Sequence, residues 1–404
     1  MLSQKTIDIV KSTVPVLSEN GTALTSHFYK RMFERNPEVK PYFNASNQAE
    51  GRQQQALAGA IVAFAKNVDN LEALTSAVEL IANKHASLMI KPTHYPIVGE
   101  NLLASIQEFL NLEPSSEIIT AWGEAYDFLA GILIGREATI YKSNAEREGG
   151  WSGFRSFRVT KRVQESSLVT SFYLEPQDGG SLPEYLPGQY LTVRVPTPDG
   201  HTTMRNYSLS DLSTKKLFRI SVKHEQGRVG AQPVGYVSNY LHTLVKEGGT
   251  LEVGPPCGEF VLKAGKDSEK PLVFLAGGIG VTPLLSMISS ALDEDAERSA
   301  IFVHACLNEE VQPFRSSLEE LANRYPNLKL HHRYEQRGEN DHQAANASDG
   351  RVDETFLDGL LEDTNADYYI CGPSGFMSAM SGILSDWNIP ASQVRLEAFG
   401  PQSP

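Results

Sequence analysis

The chain has 404 residues, enough for two or three domains at the usual ~150 residues each. Its 41% hydrophobic content and 32 glycines exclude a disordered polypeptide. With 36 basic against 49 acidic side chains the net charge is −13, which argues against a nucleic-acid partner. Three widely spaced cysteines, Cys257, Cys306 and Cys371, exclude a disulfide framework or a zinc spacing.

The N-terminal run Met1 to Ser12 carries Lys5, Asp8 and Lys11 and lacks the apolar core of a secretory signal. The most apolar stretch, 271–287, is broken by Gly277, Gly278, Gly280 and Pro283. It reads as strand, loop and helix rather than a membrane span. A reduced, cytoplasmic protein is expected.

Residues 1–143 carry helical periodicity. Ile7, Val10, Val14 and Leu17 form one stripe, with Ser3 as N-cap and Gly21 as the expected stop. Leu57, Ile61, Phe64 and Val68 form a second, and Val78, Ile81 and His85 a third. Trp122, Leu129, Leu133, Glu137 and Ile140 share one face of a long fourth helix. An all-α domain follows, then a linker at 143–153 whose angle the sequence leaves open. Beyond Gly149-Gly150 the period becomes two: Leu191, Val193 and Val195 alternate with polar residues, as do Phe218, Ile220 and Val222. Residues 151–264 therefore read as an antiparallel barrel or sandwich. Across 265–404 short apolar runs (272–275, 301–303, 368–370) alternate with helical stretches, the pattern of an α/β parallel-sheet domain.

The best phosphate-loop signal is 276–283, Ala-Gly-Gly-Ile-Gly-Val-Thr-Pro, which follows a strand and opens a helix. Its glycines would let backbone N–H groups approach an anion at a helix N-terminus. It misses the dinucleotide fingerprint because the last glycine falls on Pro283. A second turn, Cys371-Gly372-Pro373-Ser374-Gly375, also follows a strand, so both turns point at one crevice. In the barrel segment Arg205 could grip a phosphate, Tyr207 could stack on a planar ring and Ser208 could bond a ring nitrogen. Gly235-Tyr236-Val237-Ser238-Asn239 opens a further helix. Singly, each is equally read as a tight turn or an ordinary strand.

Taken in order, these four motifs resemble the ferredoxin–NADP reductase family over about 250 residues. The resemblance implies a six-stranded flavin barrel and a nicotinamide domain. Arg205, Tyr207 and Ser208 would hold FAD, with Tyr190 nearby, and Gly235, Val237 and Ser238 would meet its pyrophosphate. Gly278, Gly280 and Thr282 would line the NAD(P) site. Cys371 and Glu397 would border the nicotinamide, and Phe399 of the run Glu397 to Pro401 would cover the flavin ring. The dinucleotide is NADH or NADPH. Glu309 and Glu310, near the end of the second strand, oppose a 2′-phosphate, while Arg315 stands within reach.

His85 lies on an apolar helical face just before Lys91-Pro92. It is either a satisfied core histidine or an iron ligand. Asn36-Pro37-Glu38 followed by Phe43 looks like a globin's corner and haem-packing phenylalanine. Gln53 and Leu57 stand at the spacing that fits the opposite haem face, with Tyr29 reaching the same pocket. The N-terminal domain resembles a bacterial globin, and the globin-plus-reductase order resembles the flavohaemoglobin family over the whole chain. The resemblance implies haem b held by His85, with Tyr95 and Glu137 bonding that histidine from behind. Tyr29 and Gln53 would be distal donors, Leu57 would limit the pocket, and Lys84 would lie near a propionate or the electron path. The implied activity is nitric oxide dioxygenase: NO and O2 become nitrate, with electrons from NAD(P)H passing through FAD to haem iron. Haem-dependent peroxide reduction, anaerobic NO reduction, and an oxygen-binding or sensing globin with a maintenance reductase are the alternatives. A monomer is expected, with an apolar distal pocket (Leu57, Ile61, Phe64) able to take a lipid.

Overall fold

The computed structural model describes residues 2–43, 48, 51–212, 216–227, 235–263, 270–336, 345–361 and 363–399. The first domain contains helices α1 (Gln4–Ser12), α2 (Val14–Arg35), α3 (Arg52–Lys66), α4 (Thr75–Ser87), α5 (His94–Phe109) and α6 (Glu117–Glu146). Ser3 caps α1, its Oγ accepting the Thr6 N–H at 3.1 Å.

Gly21 is not a stop. It lies inside α2, where a Cβ would come within 3.1 Å of the Ala58 Cβ on α3. The glycine serves the close approach of two helices, which no helical period reports. The Pro37-Glu38 corner is a 3-10 turn, Pro37–Tyr42. Phe28, Met32, Phe64, Ile106 and Trp122 form the main core. Ala82, Ala86, Tyr95, Leu133 and Ile140 form a second core beneath α4. By length and composition α6 could cross a membrane; here it packs on α1, α4 and α5.

Six strands follow: β1 (Arg155–Gln164), β2 (Val169–Pro176), β3 (Tyr190–Pro196), β4 (Thr202–Ser208), β5 (Phe218–Lys223) and β6 (Thr250–Val253). They form one antiparallel sheet in the order β4-β3-β6-β1-β2-β5. A bridge between Leu209 and Ile220 joins its two edges into a barrel. Phe157, Phe172, Leu191, Val193 and Phe218 fill the interior, and α7 (Tyr236–Thr243) adds Val237 and Leu241.

The third domain holds parallel strands β7 (Leu272–Gly277), β8 (Ala300–Cys306), β9 (Leu328–Tyr334), β10 (Ala347–Asp349), β11 (Asp367–Gly372) and β12 (Val394–Ala398). Their order is β10-β9-β8-β7-β11-β12, so the chain runs outward from β7 and then returns to β11. Ligands bind at such a switch point, outside the carboxyl ends of the strands. Val273 and Leu275 pack on one face of the sheet, Phe274 and Ala276 on the other. This two-sided burial explains the unbroken apolar runs. Helix α8 (Val281–Glu294) leaves the β7 turn, and α9 (Arg315–Arg324) precedes β9.

At the switch point the two glycine turns pack on each other. A Cβ on Gly280 would sit 2.1 Å from the Cys371 carbonyl oxygen, and one on Gly277 would sit 2.9 Å from the Pro373 Cδ. Gly280→Ala should therefore overpack the junction and lower stability by about 1–3 kcal/mol. Calorimetric melting of the variant checks this, and an unchanged melt would show that the turns part easily.

Candidate functional site

The second core of the helical domain encloses a hydrogen-bonded triad. His85, in the last turn of α4, places its Nδ1 2.8 Å from Glu137 Oε1 and 3.1 Å from the Tyr95 hydroxyl. Tyr95 also donates to the same carboxylate oxygen. Glu137 is 1% exposed. Burial and the neighbouring carboxylate push the Tyr95 hydroxyl well above its ordinary pKa, so it stays a neutral donor. The carboxylate fixes the proton on Nδ1 and leaves the Nε2 lone pair without a hydrogen bond among the described residues. That donor set fits a haem iron, which His85 would hold through this free imidazole nitrogen. Among the described residues no group of three metal-ligating side chains offers another metal site.

Above this lies an aromatic cluster. The Tyr29 ring meets Phe28, Phe33 and Phe43 at centroid distances of 5.0, 5.8 and 5.7 Å. Its hydroxyl is held neutral by burial and has no hydrogen-bond partner among the described residues. A polar guest in the pocket could accept from it. Gln53 Oε1 accepts from Gln48 Nε2 at 3.0 Å, leaving its own amide protons for another acceptor. Leu57 is half-buried beside this cluster.

In the barrel, Tyr190 pairs with Ser208, and Thr192 with Asn206, on one face of the β3–β4 ladder. Arg205 and Tyr207 point to the other face. Arg205 Nη1 donates to the Met204 carbonyl at 2.6 Å. The motif at 235–239 is tied down more than its sequence implies. The Gly235 N–H donates to the Glu225 carbonyl at 2.9 Å, and Ser238 Oγ donates to the Gly235 carbonyl at 2.9 Å. Val237 is buried in the barrel core, so its side chain cannot face a ligand.

At the parallel sheet, Gly278 has φ +54° and open space around the missing side chain, room for an anion. Gly280 is closed off by its packing on Cys371, and the Thr282 hydroxyl donates to the Ile279 carbonyl at 3.0 Å. Cys371 lies in register with both Ala276 and Glu397 and is fully buried, its thiol pushed well up. Phe399 is exposed just beyond β12; Gly400 and Pro401 lie outside the described residues.

The three domains meet at a charged cleft. Lys84 of α4 lies 5.9 Å from the Tyr190 ring centroid. Solvent reaches its side chain, but surrounding protein depresses its pKa, partly offset by Glu397 and Glu259. Glu397 is pushed up to about 8 by burial, reinforced by Glu259 and opposed by Lys84. Glu259 has no motif to mark it, and sequence reasoning missed it.

A buried network behind Gly278 was also missed. Gln312 Nε2 donates to Nδ1 of His304 at 3.1 Å and of His332 at 2.8 Å, while its Oε1 accepts from Tyr334. Both imidazoles must then carry the proton on Nε2. His304 Nε2 donates to the Gly278 carbonyl at 3.0 Å, fixing the open turn from behind. The alternating burial of Leu328, Leu330, His332 and Tyr334 along β9 was the available signal.

Family models match three segments of the chain: a globin over 26–133, an oxidoreductase FAD-binding domain over 156–262 and an oxidoreductase NAD-binding domain over 274–382. A flavohemoprotein from Halalkalibacterium halodurans is 46% identical over 402 residues, covering 99% of this chain and 97% of that relative. The crystal structure of flavohemoglobin from Malassezia yamatoensis, with bound FAD and heme, superposes with a TM-score of 0.85 at 27% identity over 99% of this chain and all of that one. The FAD/NAD-binding domain of nitric oxide dioxygenase from Vibrio cholerae matches 61% of this chain and 99% of its own, with a TM-score of 0.54 and 31% identity.

The histidine network makes the third domain acid-sensitive. Burial lowers His304 from 6.5 to about 4 and His332 from 6.5 to about 3. The unfolded chain binds more protons between those values, so this stability is complete above about 6.5 and drains as pH falls toward 4. His304→Gln should flatten that acid limb in urea unfolding series run at several pH values. An unchanged slope would remove His304 as its source.

Proposed function

Since the chain belongs to the flavohemoprotein family, we propose that it is a nitric oxide dioxygenase, converting NO and O2 to nitrate with electrons from a nicotinamide dinucleotide. The observation that carries this reading is the pairing of His85 with a buried carboxylate on one side of the helical domain and an orphaned Tyr29 hydroxyl on the other. When bound, haem iron supplies oxygen binding and one-electron chemistry, and FAD accepts a hydride and releases its electrons singly.

The protein's part is positioning and electrostatics. Glu137 and Tyr95 hold the His85 ring through Nδ1, which would make Nε2 more electron-donating toward a ligated metal. A pocket built only to store oxygen gains little from that. Tyr29, kept neutral by burial, donates toward negative charge developing in the distal pocket, and Gln53 can add a second donor. Leu57, Ile61 and Phe64 keep that pocket apolar, which also suits a lipid chain. Tyr190, Tyr207 and Ser208 would hold the flavin ring, with Lys84 beside Tyr190, while Arg205 and the start of α7 would hold its phosphates.

NADH is favoured over NADPH. Arg315 is clamped between Glu309 and Glu319, with its Nε 2.9 Å from Glu319 Oε1, and the loop 307–314 carries no other cation for a 2′-phosphate. Three buried free thiols fit a monomer working in a reducing cytoplasm.

The deciding test is NO consumption in air-saturated buffer with NADH, followed by nitrate assay. Rapid oxygen-dependent loss of NO, with about one NADH per two NO from the two electrons of each hydride, supports the reading. Slow loss despite full haem and FAD content and quick reduction of the iron would sink it in favour of peroxide reduction. His85→Ala should purify with FAD but without haem. Tyr29→Phe should keep haem and release O2 roughly ten- to a hundredfold faster, the loss of one hydrogen bond to a charged acceptor. Unchanged release would remove Tyr29 from that role.

A further inference from the structure

The end of α4 is fastened to the flavin barrel at two points, one on each side of His85. On one side, Asn83 is 8% exposed, and its Oδ1 accepts the Gly258 N–H at 3.2 Å. Its amide nitrogen donates back to the Glu79 carbonyl at 3.0 Å, so the side chain is oriented from within its own helix. Gly258 has φ +119°, and a Cβ there would come within 2.9 Å of the Tyr190 ring. Only glycine lets the backbone pass between that ring and Asn83.

On the other side, Ser87 is fully buried. Its Oγ donates to the Lys84 carbonyl at 2.8 Å and accepts from Asn206 Nδ2 at 3.2 Å. Asn206 is oriented in turn by Thr192 Oγ1, which donates to Asn206 Oδ1 at 3.1 Å. Asn206 stands between Arg205 and Tyr207 in sequence but faces the helical domain with Tyr190 and Thr192. Each contact has a donor, an acceptor and a second bond that fixes the side chain; the Asn83–Gly258 bond is buried and the Asn206–Ser87 bond is half-buried. Such bonds set geometry more than they add stability.

We propose that Asn83 and Asn206 are positioning residues for electron delivery. Together they bolt the iron-ligand helix to the flavin barrel, so that the flavin ring end at Tyr190 and the His85 turn keep one fixed separation. The proposal rests on the reading of the second and third domains as the reductase for the first, and not on the fate of NO. Loss of either bond loosens α4 on the barrel while leaving the His85–Glu137–Tyr95 triad and the flavin contacts in place. A looser seat lets the two redox centres drift apart, and electron transfer slows as their separation grows.

The test uses the full-length holoenzyme carrying Asn206→Leu, Asn83→Leu or both. NADH-driven ferricyanide reduction reads the flavin alone, and NADH-driven haem reduction under carbon monoxide, without NO, reads delivery between domains. The expected result is ferricyanide reduction close to the parent's, an unaltered Soret band, and haem reduction slowed severalfold. A second readout needs no turnover. The native cysteines are all buried, so spin labels on Glu113→Cys and Asp199→Cys report the distance between helical domain and barrel. That distribution should broaden in both Asn variants. Haem reduction within about twofold of the parent and an unbroadened distance in both would overturn the proposal. A fall in flavin reduction matching the fall in haem reduction would overturn it too, by placing the damage in the flavin site.

Discussion

A carboxylate cannot stay buried without partners, and much of the helical domain is arranged around the one at Glu137. Stripped of its partners, such a group costs several kcal/mol, and removing one member of a buried pair costs about 3–5 kcal/mol. Glu137 sits on the inner face of α6, so α4 and α5 must present donors at that height. They do so through His85 and Tyr95. Tyr95 is held by its own backbone, whose carbonyl accepts from the Tyr126 hydroxyl at 2.6 Å. Tyr141 ties down the chain after α4, donating to the Ile90 carbonyl at 2.6 Å. The histidine's orientation, its tautomer and the free nitrogen it offers all follow from partnering one buried carboxylate oxygen, Oε1, while Oε2 has no partner among the described residues.

The same turn of α4 looks outward as well. Lys84 is next in sequence to His85, and the helix sends it away from the triad into the cleft with Tyr190, Glu259 and Glu397. The Tyr190 and Ser208 side of the cleft belongs to the barrel, Glu397 to the parallel sheet and Lys84 to the helices. An electron carrier in that cleft would meet all three domains. The opposed effects on Lys84 and Glu397 have one source: groups of both signs crowd one protein-lined cleft, where each carboxyl resists ionising beside the other and the ammonium relieves part of that.

The sequence made the large divisions legible because each domain has its own period: 3.6 in the helices, 2 in the barrel, and unbroken apolar runs in a sheet buried on both faces. It also brought out the residues whose type is unusual in context, such as a carboxylate at Glu137 on an apolar stripe. It failed where meaning depends on the neighbour across the fold. Gly21 reads as a helix stop until Ala58 is seen against it. Gly280 reads as a phosphate glycine until the Cys371 carbonyl is found where its side chain would be, leaving Gly278 as the open position. Asn83, Asn206 and Gln312 carry no motif, because an amide acquires a role only from the donor or acceptor opposite it.

Nor does the linker leave the domain angle free, as its sequence suggested. Helix α6 ends in Arg147, whose Nη2 bonds Asn144 Oδ1 at 2.8 Å and the Pro256 carbonyl at 3.3 Å. Gly149, at φ +70°, runs so close to Leu182 that a Cβ would sit 2.5 Å from its carbonyl carbon. Trp151 is nearly buried and donates to the Val253 carbonyl at 3.3 Å. A free tether would hold the reductase only at a raised local concentration, and each transfer would wait on a productive encounter. A packed one removes that wait, because the partners are already docked. What remains to be set is the fine separation between them, which a linker at one end of the helical domain controls poorly. Contacts beside His85 itself control it better, and that is where the structure puts Asn83 and Asn206.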